Sequence, residues 1–202
     1  MSFFKTLSVL TFTFISIFSV VTTAAGSSMY FFEPSVGYRS HTLRLTNYAN
    51  SETKIAMASP EYGARLGLRS LMGIDFNLAY QYTAGKAEYY PAAEKNNFSQ
   101  KTAAVQLGIN ALGLMKMYLG YGFMNELQIE QGLLNSDLKL KGASYQAGLQ
   151  FKLIPFVELG LQYNVNQFKN IEGKNYLASD AVETYYNKVD SQDYSASLSI
   201  VF

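Results

Sequence analysis

In the stretch DYSASLSIVF (193–202), polar and apolar side chains alternate from Asp193 to Ile200. In an extended strand the serines at 195, 197 and 199 fall on one face, and the opposite face carries Tyr194, Ala196, Leu198, Ile200 and Phe202. Chain termini are normally polar and poorly ordered. We therefore expect this terminus to be held in a sheet, as the strand that closes a β-barrel.

The opposite end of the sequence has the organisation of a secretory signal peptide. Lys5 precedes an apolar run over 7–21, and the small residues Thr23, Ala24 and Ala25 follow at once. This order predicts a signal peptide over 1–25, cleaved after Ala25, and a mature domain over 26–202. The alternative, a transmembrane helix, requires about twenty apolar residues, and this run is shorter. Elsewhere no apolar stretch approaches that length.

Between these ends, two-residue alternation recurs in segments of about ten residues, as in membrane β-barrels. With the terminal strand there are eight such segments, the other seven being 32–39, 62–69, 74–82, 104–111, 116–125, 143–151 and 157–166. The connections between them alternate in length. Short turns are predicted over 71–73, 112–115 and 152–155, and long loops over 40–61, 84–101, 126–142 and 168–191. An up-and-down barrel places all short turns at one rim and all long loops at the other.

The distribution of charge indicates which face of the strands meets lipid. Most Asp, Glu, Lys and Arg residues fall in the predicted loops, whereas the polar strand face is mainly Gly, Ser, Ala, Asn and Gln. A soluble barrel of the lipocalin type would instead carry charges on its outer face and apolar residues inside. We therefore predict an all-β fold, an eight-stranded antiparallel up-and-down transmembrane β-barrel with its apolar face outward.

These features resemble the small eight-stranded outer-membrane β-barrels typified by the OmpA transmembrane domain and OmpX. The resemblance covers about 29–202 and rests on strand count, loop asymmetry and the terminal YSASLSIVF. It implies an integral protein of a Gram-negative outer membrane that contacts outer-membrane lipids and lipopolysaccharide. In that family an aromatic terminal strand is read by the barrel-assembly machinery, and the resemblance assigns this signal to Tyr194 and Phe202.

Six charged residues have the parity of the barrel interior: Glu33, Asp75 and Glu158 with Arg39, Arg65 and Arg69. An unpaired buried charge costs several kcal/mol. We therefore predict that the six form an internal salt-bridge network that closes the barrel to ions. The alternative interpretation is that the carboxylates act as a general acid and base.

His41 is the only histidine and falls at the start of the first predicted loop. The interpretation as a surface residue competes with a catalytic role, as in the PagP-type outer-membrane acyltransferases, which this placement resembles. Candidate partners are Ser40, Ser51, Asp137 and Asp180. With a single His and no Cys the sequence predicts no metal site and no cofactor.

The formal net charge of +1 provides no basic surface for nucleic acid. The leading hypothesis is a non-enzymatic outer-membrane barrel with a structural or surface-interaction role carried by its external loops. Two alternatives stay open, an outer-leaflet lipid-modifying enzyme and a narrow conduit for small apolar solutes. The extracellular partner is not specified by the sequence.

Overall fold

The computed structural model describes residues 30–70, 73–90, 95–111, 114–132, 136–173, 176–182 and 185–202. The predicted signal peptide over 1–25 lies outside these residues. Within them, no helix is long and apolar enough to cross a membrane.

Nine strands form the described structure, and their bounds show that most are seventeen to nineteen residues long. They are β1 (Tyr30–Thr46), β2 (Glu52–Arg69), β3 (Ile74–Tyr90), β4 (Lys95–Ala111), β5 (Met115–Gly132), β6 (Ser136–Ile154), β7 (Val157–Gly173), β8 (Tyr176–Ala181) and β9 (Lys188–Ile200).

The strands close into an antiparallel barrel. Consecutive strands pair from β1 to β7, and β9 pairs with β7 on one side and with β1 on the other. The wall thus has eight strands, β1 to β7 and β9, which confirms the predicted fold class. The short strand β8 is additional and pairs with the far end of β7. In lipid such closure satisfies every backbone N–H and C=O within the sheet.

An apolar belt surrounds the half of the barrel that contains the short turns. On β1 the outward side chains include Tyr30, Val36 and Tyr38, and these three are more than half exposed. The other strands contribute residues such as Leu66, Leu78, Leu107, Leu119, Tyr145, Leu161 and Leu198. About nine residues at 3.3 Å each, tilted by about 40°, give a height of roughly 23 Å, which is close to the apolar band of about 25 Å in such barrels. The predicted outward direction of the apolar face is confirmed.

The prediction of four long loops is wrong for most of the residues assigned to them. In the first of these segments β1 continues to Thr46 and β2 begins at Glu52, so that only 47–51 connects the two strands. β3 likewise continues to Tyr90 and β4 begins at Lys95. Charged residues are common in these segments because the faces of the strands exchange character there. Arg44 points outward, whereas Leu43 and Leu45 are buried inside.

The barrel consequently continues beyond the belt as an extension with an apolar interior. We call this interior the outer core. Its buried members are Leu43, Leu45, Ile55, Met57, Ala87, Tyr89, Phe98, Leu127, Ile129, Leu138, Leu140, Phe168, Ile171 and Val182. This inside-out pattern is that of a water-soluble barrel, in which burial of apolar surface is the main stabilising contribution.

The described connections are tight and locally hydrogen-bonded. At the outer tip, the Asn47 Oδ1 accepts hydrogen bonds from the N–H groups of Ala49 (3.0 Å) and Ser51 (2.9 Å). Asn50 adopts a left-handed conformation, with φ 59°, which asparagine tolerates well. At the opposite rim, Pro155 and Phe156 alone separate β6 from β7. The tip that carries Tyr48 is therefore a fixed hairpin turn.

Candidate functional site

The lumen within the belt contains a group of charged side chains that we call the lower layer, formed by Glu33, Arg65, Arg69, Asp75 and Lys116. Arg65 Nη1 lies 2.6 Å from Glu33 Oε1, and Arg69 Nε lies 3.1 Å from Asp75 Oδ1. β1, β2 and β3 are neighbours in the wall, and their alternation turns these side chains inward. Inside the lumen, ionic contacts thus connect side chains from three adjacent strands of the wall.

Lys116 is a lumen cation that the sequence analysis missed. Its Nζ lies 3.6 Å from Glu33 Oε2 and 3.4 Å from Asp75 Oδ2, and its side chain is 4% exposed. It therefore bridges the two ion pairs of the lower layer from β5. The signal was available, since Lys116 shares parity with Tyr118, whose lumen position follows from the same alternation.

Glu158, the sixth predicted network residue, is only partly buried at the start of β7. Its backbone is paired with that of Ser199 on β9. Its Oε2 has no hydrogen-bond partner within the described part of the chain. The structure therefore brings Glu33, Arg65, Arg69 and Asp75 together but shows no such contact for Glu158.

A second group of charges, the upper layer, lies nearer the outer end of the lumen and is centred on Arg39. Arg39 Nε lies 2.5 Å from Glu61 Oε2, and its Nη1 lies 3.4 Å from Asp193 Oδ2. Its Nη2 donates to Gln81 Oε1 at 2.8 Å. Glu61 was missed because it falls in a predicted loop. Asp193 begins the predicted terminal strand and shares the parity of Ser195, so the alternation already placed it on the inward face.

Hydrogen-bonded side chains fill the lumen between the two layers. The Tyr118 hydroxyl accepts from Arg65 Nη2 (3.1 Å) and donates to Gln162 Oε1 (2.7 Å). The same ring covers Gly148, where a Cβ would collide with it. Gln162 in turn exchanges hydrogen bonds with Gln81. These contacts join the two layers into one polar column.

His41 lies inside the barrel, so its predicted position in a surface loop is wrong. The side chain is buried because β1 continues through this residue and keeps the inward parity of Arg39. Its Nδ1 contacts Gln100 Oε1 at 3.1 Å, and its Nε2 contacts Ser191 Oγ at 2.6 Å and Asp193 Oδ1 at 3.4 Å. Among its candidate partners, Ser40, Ser51 and Asp137 are exposed, and nothing is described for the side chain of Asp180.

A serine and a carboxylate thus meet His41, but not in the geometry of a catalytic triad. In a triad the carboxylate binds the imidazole nitrogen opposite the one that faces the serine. Here both Ser191 and Asp193 contact Nε2, and an amide occupies the Nδ1 side. Ser191 Oγ also accepts a hydrogen bond from Asn166 Nδ2 at 3.0 Å. The cluster is a buried polar link between β1, β4, β7 and β9.

The predicted assembly residues lie on the last strand and just after it. The Phe202 N–H donates to the carbonyl oxygen of Phe32 at 3.0 Å, and the Phe32 N–H donates to that of Phe202 at 3.2 Å. These bonds continue the β1–β9 seam below Ile200. Tyr194 faces outward at the outer end of the belt, where its ring centroid lies 4.9 Å from that of Tyr163. Tyrosine rings at this depth suit the membrane–water interface.

The outer wall of the extension carries paired charges. Lys95 Nζ lies 2.5 Å from Glu88 Oε1, and Lys141 Nζ lies 2.6 Å from Glu172 Oε1. The hydrogen bond from Lys95 holds the pKa of Glu88 below its ordinary value, and the same bond raises the pKa of Lys95. Exposed pairs of this kind contribute little stability. They show that this wall faces water rather than hydrocarbon.

The comparisons with known proteins agree with this geometry. No protein-family model matches the chain, and no curated protein matches it. The solved structure of Ail, the attachment invasion locus protein of Yersinia pestis, covers 86% of this chain and 99% of its own, at 12% identity and a TM-score of 0.55. The chain has the fold of a small outer-membrane β-barrel.

Two further structures support the same assignment of the fold. OprG from Pseudomonas aeruginosa covers 88% of this chain and 98% of its own, at 14% identity and a TM-score of 0.51. Neisserial surface protein A covers 86% of this chain and 97% of its own, at 16% identity and a TM-score of 0.50. The resemblance to small outer-membrane barrels is therefore confirmed for the fold. The Ail structure was solved with the heparin analogue sucrose octasulfate.

Proposed function

We propose that this chain is a non-enzymatic integral protein of a Gram-negative outer membrane that presents its extracellular extension for contacts at the cell surface. The observation that carries the proposal is the exchange of faces along the strands. Within the belt, apolar side chains such as Val36 point outward and charged ones such as Arg39 point inward. Beyond it, Leu43 is buried inside and Arg44 is outside. The lower half thus suits hydrocarbon and the upper half suits water.

The contents of the lumen favour this role over that of a conduit. The two charged layers and the polar column between them fill the part within the belt. The outer core then fills the part above, where members such as Leu43, Ile55 and Leu127 have no exposed surface. Eight-stranded barrels have an interior just wide enough for side chains. A solute entering the lumen would have to displace both an ionic network and a packed apolar core.

The site around His41 likewise favours a structural role over lipid modification. Its serine and carboxylate are buried in the lumen with the imidazole, all at most 2% exposed. A lipid-modifying residue has to reach a substrate in the outer leaflet, which lies on the other side of the barrel wall. We propose that the cluster fixes the strands that it joins.

Site-directed labelling tests the proposed topology. The sequence contains no cysteine, so a maleimide can react only with the introduced one. Three single-cysteine variants would be exposed to a membrane-impermeant maleimide on intact cells: Tyr48→Cys at the outer tip, Leu198→Cys in the belt and Phe156→Cys in the opposite turn. We expect immediate labelling at position 48 only. Position 156 should become reactive when the outer membrane is permeabilised, and position 198 only after unfolding.

Labelling of position 156 but not of position 48 on intact cells would overturn the proposed orientation. Labelling of position 198 in the folded protein would overturn the membrane belt. The enzymatic alternative is tested separately by mass spectrometry of lipid A from strains with and without the chain. We expect identical acylation patterns, and loss of one acyl chain in the deletion strain would contradict the non-enzymatic role.

A further inference from the structure

A polar cleft opens on the outer wall of the extension, across β3, β4, β5 and β6. Its volume is about 410 Å³, and its lining includes Lys86, Lys95, Asn97, Gln128, Glu130 and Asp137. We propose that this cleft binds uncharged sugar units in the headgroups of the glycolipids that surround the barrel. The inference rests on the proposed outer-membrane location and adds a ligand class to it.

Hydrogen bonds between strands hold the floor of the cleft in place. Lys86 Nζ donates to Asn97 Oδ1 at 2.6 Å, and Asn97 Nδ2 donates to Glu130 Oε2 at 2.8 Å. Lys86 and Asn97 are direct partners in the β3–β4 register. The row therefore crosses three strands of a regular sheet. Groups that are already oriented lose less entropy when a ligand binds.

The charge of the lining selects against polyanions. Lys86 and Lys95 are balanced by Glu130 and Asp137, and Lys95 is also paired with Glu88. A phosphate or sulfate group would meet carboxylates as often as ammonium groups. The amides of Asn97 and Gln128 supply both donors and acceptors. Such a neutral mixture of donors and acceptors is complementary to the hydroxyl groups of an uncharged sugar.

The direction in which the cleft faces identifies the source of the sugar. Asn97 is six residues beyond Ala103, the last outward residue of the belt on β4. At about 3.3 Å per residue and a tilt of about 40°, it lies roughly 15 Å above the hydrocarbon edge. The lining side chains leave the barrel sideways, parallel to the membrane. They therefore face the headgroups of neighbouring glycolipids rather than the medium above.

Titration of the refolded full chain in detergent micelles tests this inference. The probe is the core oligosaccharide released by mild acid from the host strain's lipopolysaccharide and then treated with phosphatase. We expect saturable shifts in the side-chain amide NMR signals of Asn97 and Gln128. The double variant Asn97→Ala/Glu130→Ala should bind at least tenfold more weakly. A matched control is Gln167→Ala/Asn170→Ala, which alters two exposed outward residues of β7, and its affinity should be unchanged.

Salt and phosphate distinguish the proposed ligand from an anionic one. Affinity should change little between 50 and 500 mM NaCl, because screening weakens only interactions between charges. The inference is overturned if the wild-type chain shows no saturation, if both double variants bind equally well, or if binding requires the untreated phosphorylated oligosaccharide. Each variant must show the heat-dependent gel migration of a folded barrel. If the proposed outer-membrane location is wrong, the cysteine-labelling experiment contradicts it whatever the result of this titration.

Discussion

Arg69 Nε lies 3.1 Å from Asp75 Oδ1, yet the two side chains differ greatly in exposure, at 40% for Arg69 and 0% for Asp75. They are direct backbone partners beside the first short turn, near the rim of the lumen. Asp75 has two further partners, Lys116 Nζ at 3.4 Å and Asn110 Nδ2 at 2.9 Å. Both residues therefore belong to the lower layer. Asp75 is fully buried and is stabilised by side chains of the lumen, whereas Arg69 is also partly hydrated.

This asymmetry predicts different costs for two arginine substitutions. Arg69→Ala should lower the free energy of unfolding by about 1 kcal/mol, since Asp75 keeps its other partners and the arginine is partly hydrated. Arg65→Ala should cost about 3–5 kcal/mol, because it removes the closest cation from the fully buried Glu33. Urea titration of the barrel refolded in lipid vesicles measures both. Equal costs would show that Arg65 is hydrated or that the strand register differs.

The position of the membrane belt predicts the effect of an added charge on the outer face of β1. Val36→Arg should destabilise the barrel by about 2–4 kcal/mol in a bilayer, the cost of an arginine near the midplane. Thr42→Arg, on the same face but above Tyr38, should change stability by less than about 0.5 kcal/mol. The same vesicle-based urea titration applies. Similar costs at both positions would place Thr42 in hydrocarbon as well.

The outer core predicts that the extension contributes to global stability. Leu127→Ala should cost about 2–5 kcal/mol, as is usual when a fully buried leucine is truncated. Gln128→Ala, the next residue on the same strand, is exposed and should cost less than about 0.5 kcal/mol. Should both changes be neutral, the extension would be unfolding separately from the membrane half, and hydrogen exchange in its strands would be fast.

The membrane half could be predicted from sequence because one face of each strand is continuously apolar there. The strand count, the short turns and the outward direction of Leu78 or Leu198 follow from that signal. The extension was mistaken for loops because its outward residues are charged, as loop residues usually are. Continuing the alternation beyond Arg39 would have predicted the extension, since Leu43 and Leu45 share the inward parity of Arg39.

Two other features of the structure could not be predicted by counting alternate residues along the sequence. On β5, Gly122 and Asn125 both point inward, because Phe123 is an extra residue opposite Ala103 and Ala104 of β4. Such a bulge reverses the parity of every later residue on the strand. The partners of His41 could not be predicted either. Gln100, Ser191 and Asp193 lie on strands that are far from β1 in sequence, and the register of these strands relative to β1 is defined only in the closed barrel.

The β1–β9 seam predicts that Phe202 is needed for assembly. Deleting Phe202 removes both backbone hydrogen bonds to Phe32 and the aromatic group proposed as the assembly signal. We expect unassembled, protease-sensitive protein in the periplasm, measured as loss of the heat-modifiable gel band. Phe202→Tyr keeps the backbone and an aromatic ring and should assemble normally. Normal assembly of the deletion variant would contradict the role assigned to Phe202.

Asp193 predicts a second requirement of the same seam, this time for stability. From β9 it contacts Arg39 and His41 of β1, and it accepts a hydrogen bond from Asn166 Nδ2 of β7 at 2.7 Å. Asp193→Ala leaves Arg39 with Glu61 but removes an ionic acceptor from these buried groups. The expected loss is about 2–3 kcal/mol, the usual cost of deleting a buried charged hydrogen-bond partner.

Asp190 provides the matched control for Asp193, three residues earlier on the same strand. It faces outward and pairs with Lys188 at 2.7 Å, where its side chain is 45% exposed. Asp190→Ala should therefore cost less than about 1 kcal/mol. Both variants should be compared by urea titration after assembly is verified on gels. If Asp190→Ala proved as costly as Asp193→Ala, burial in the seam would not be the source of the stability assigned to Asp193. The upper layer could then no longer be regarded as the element that joins the first strand to the last.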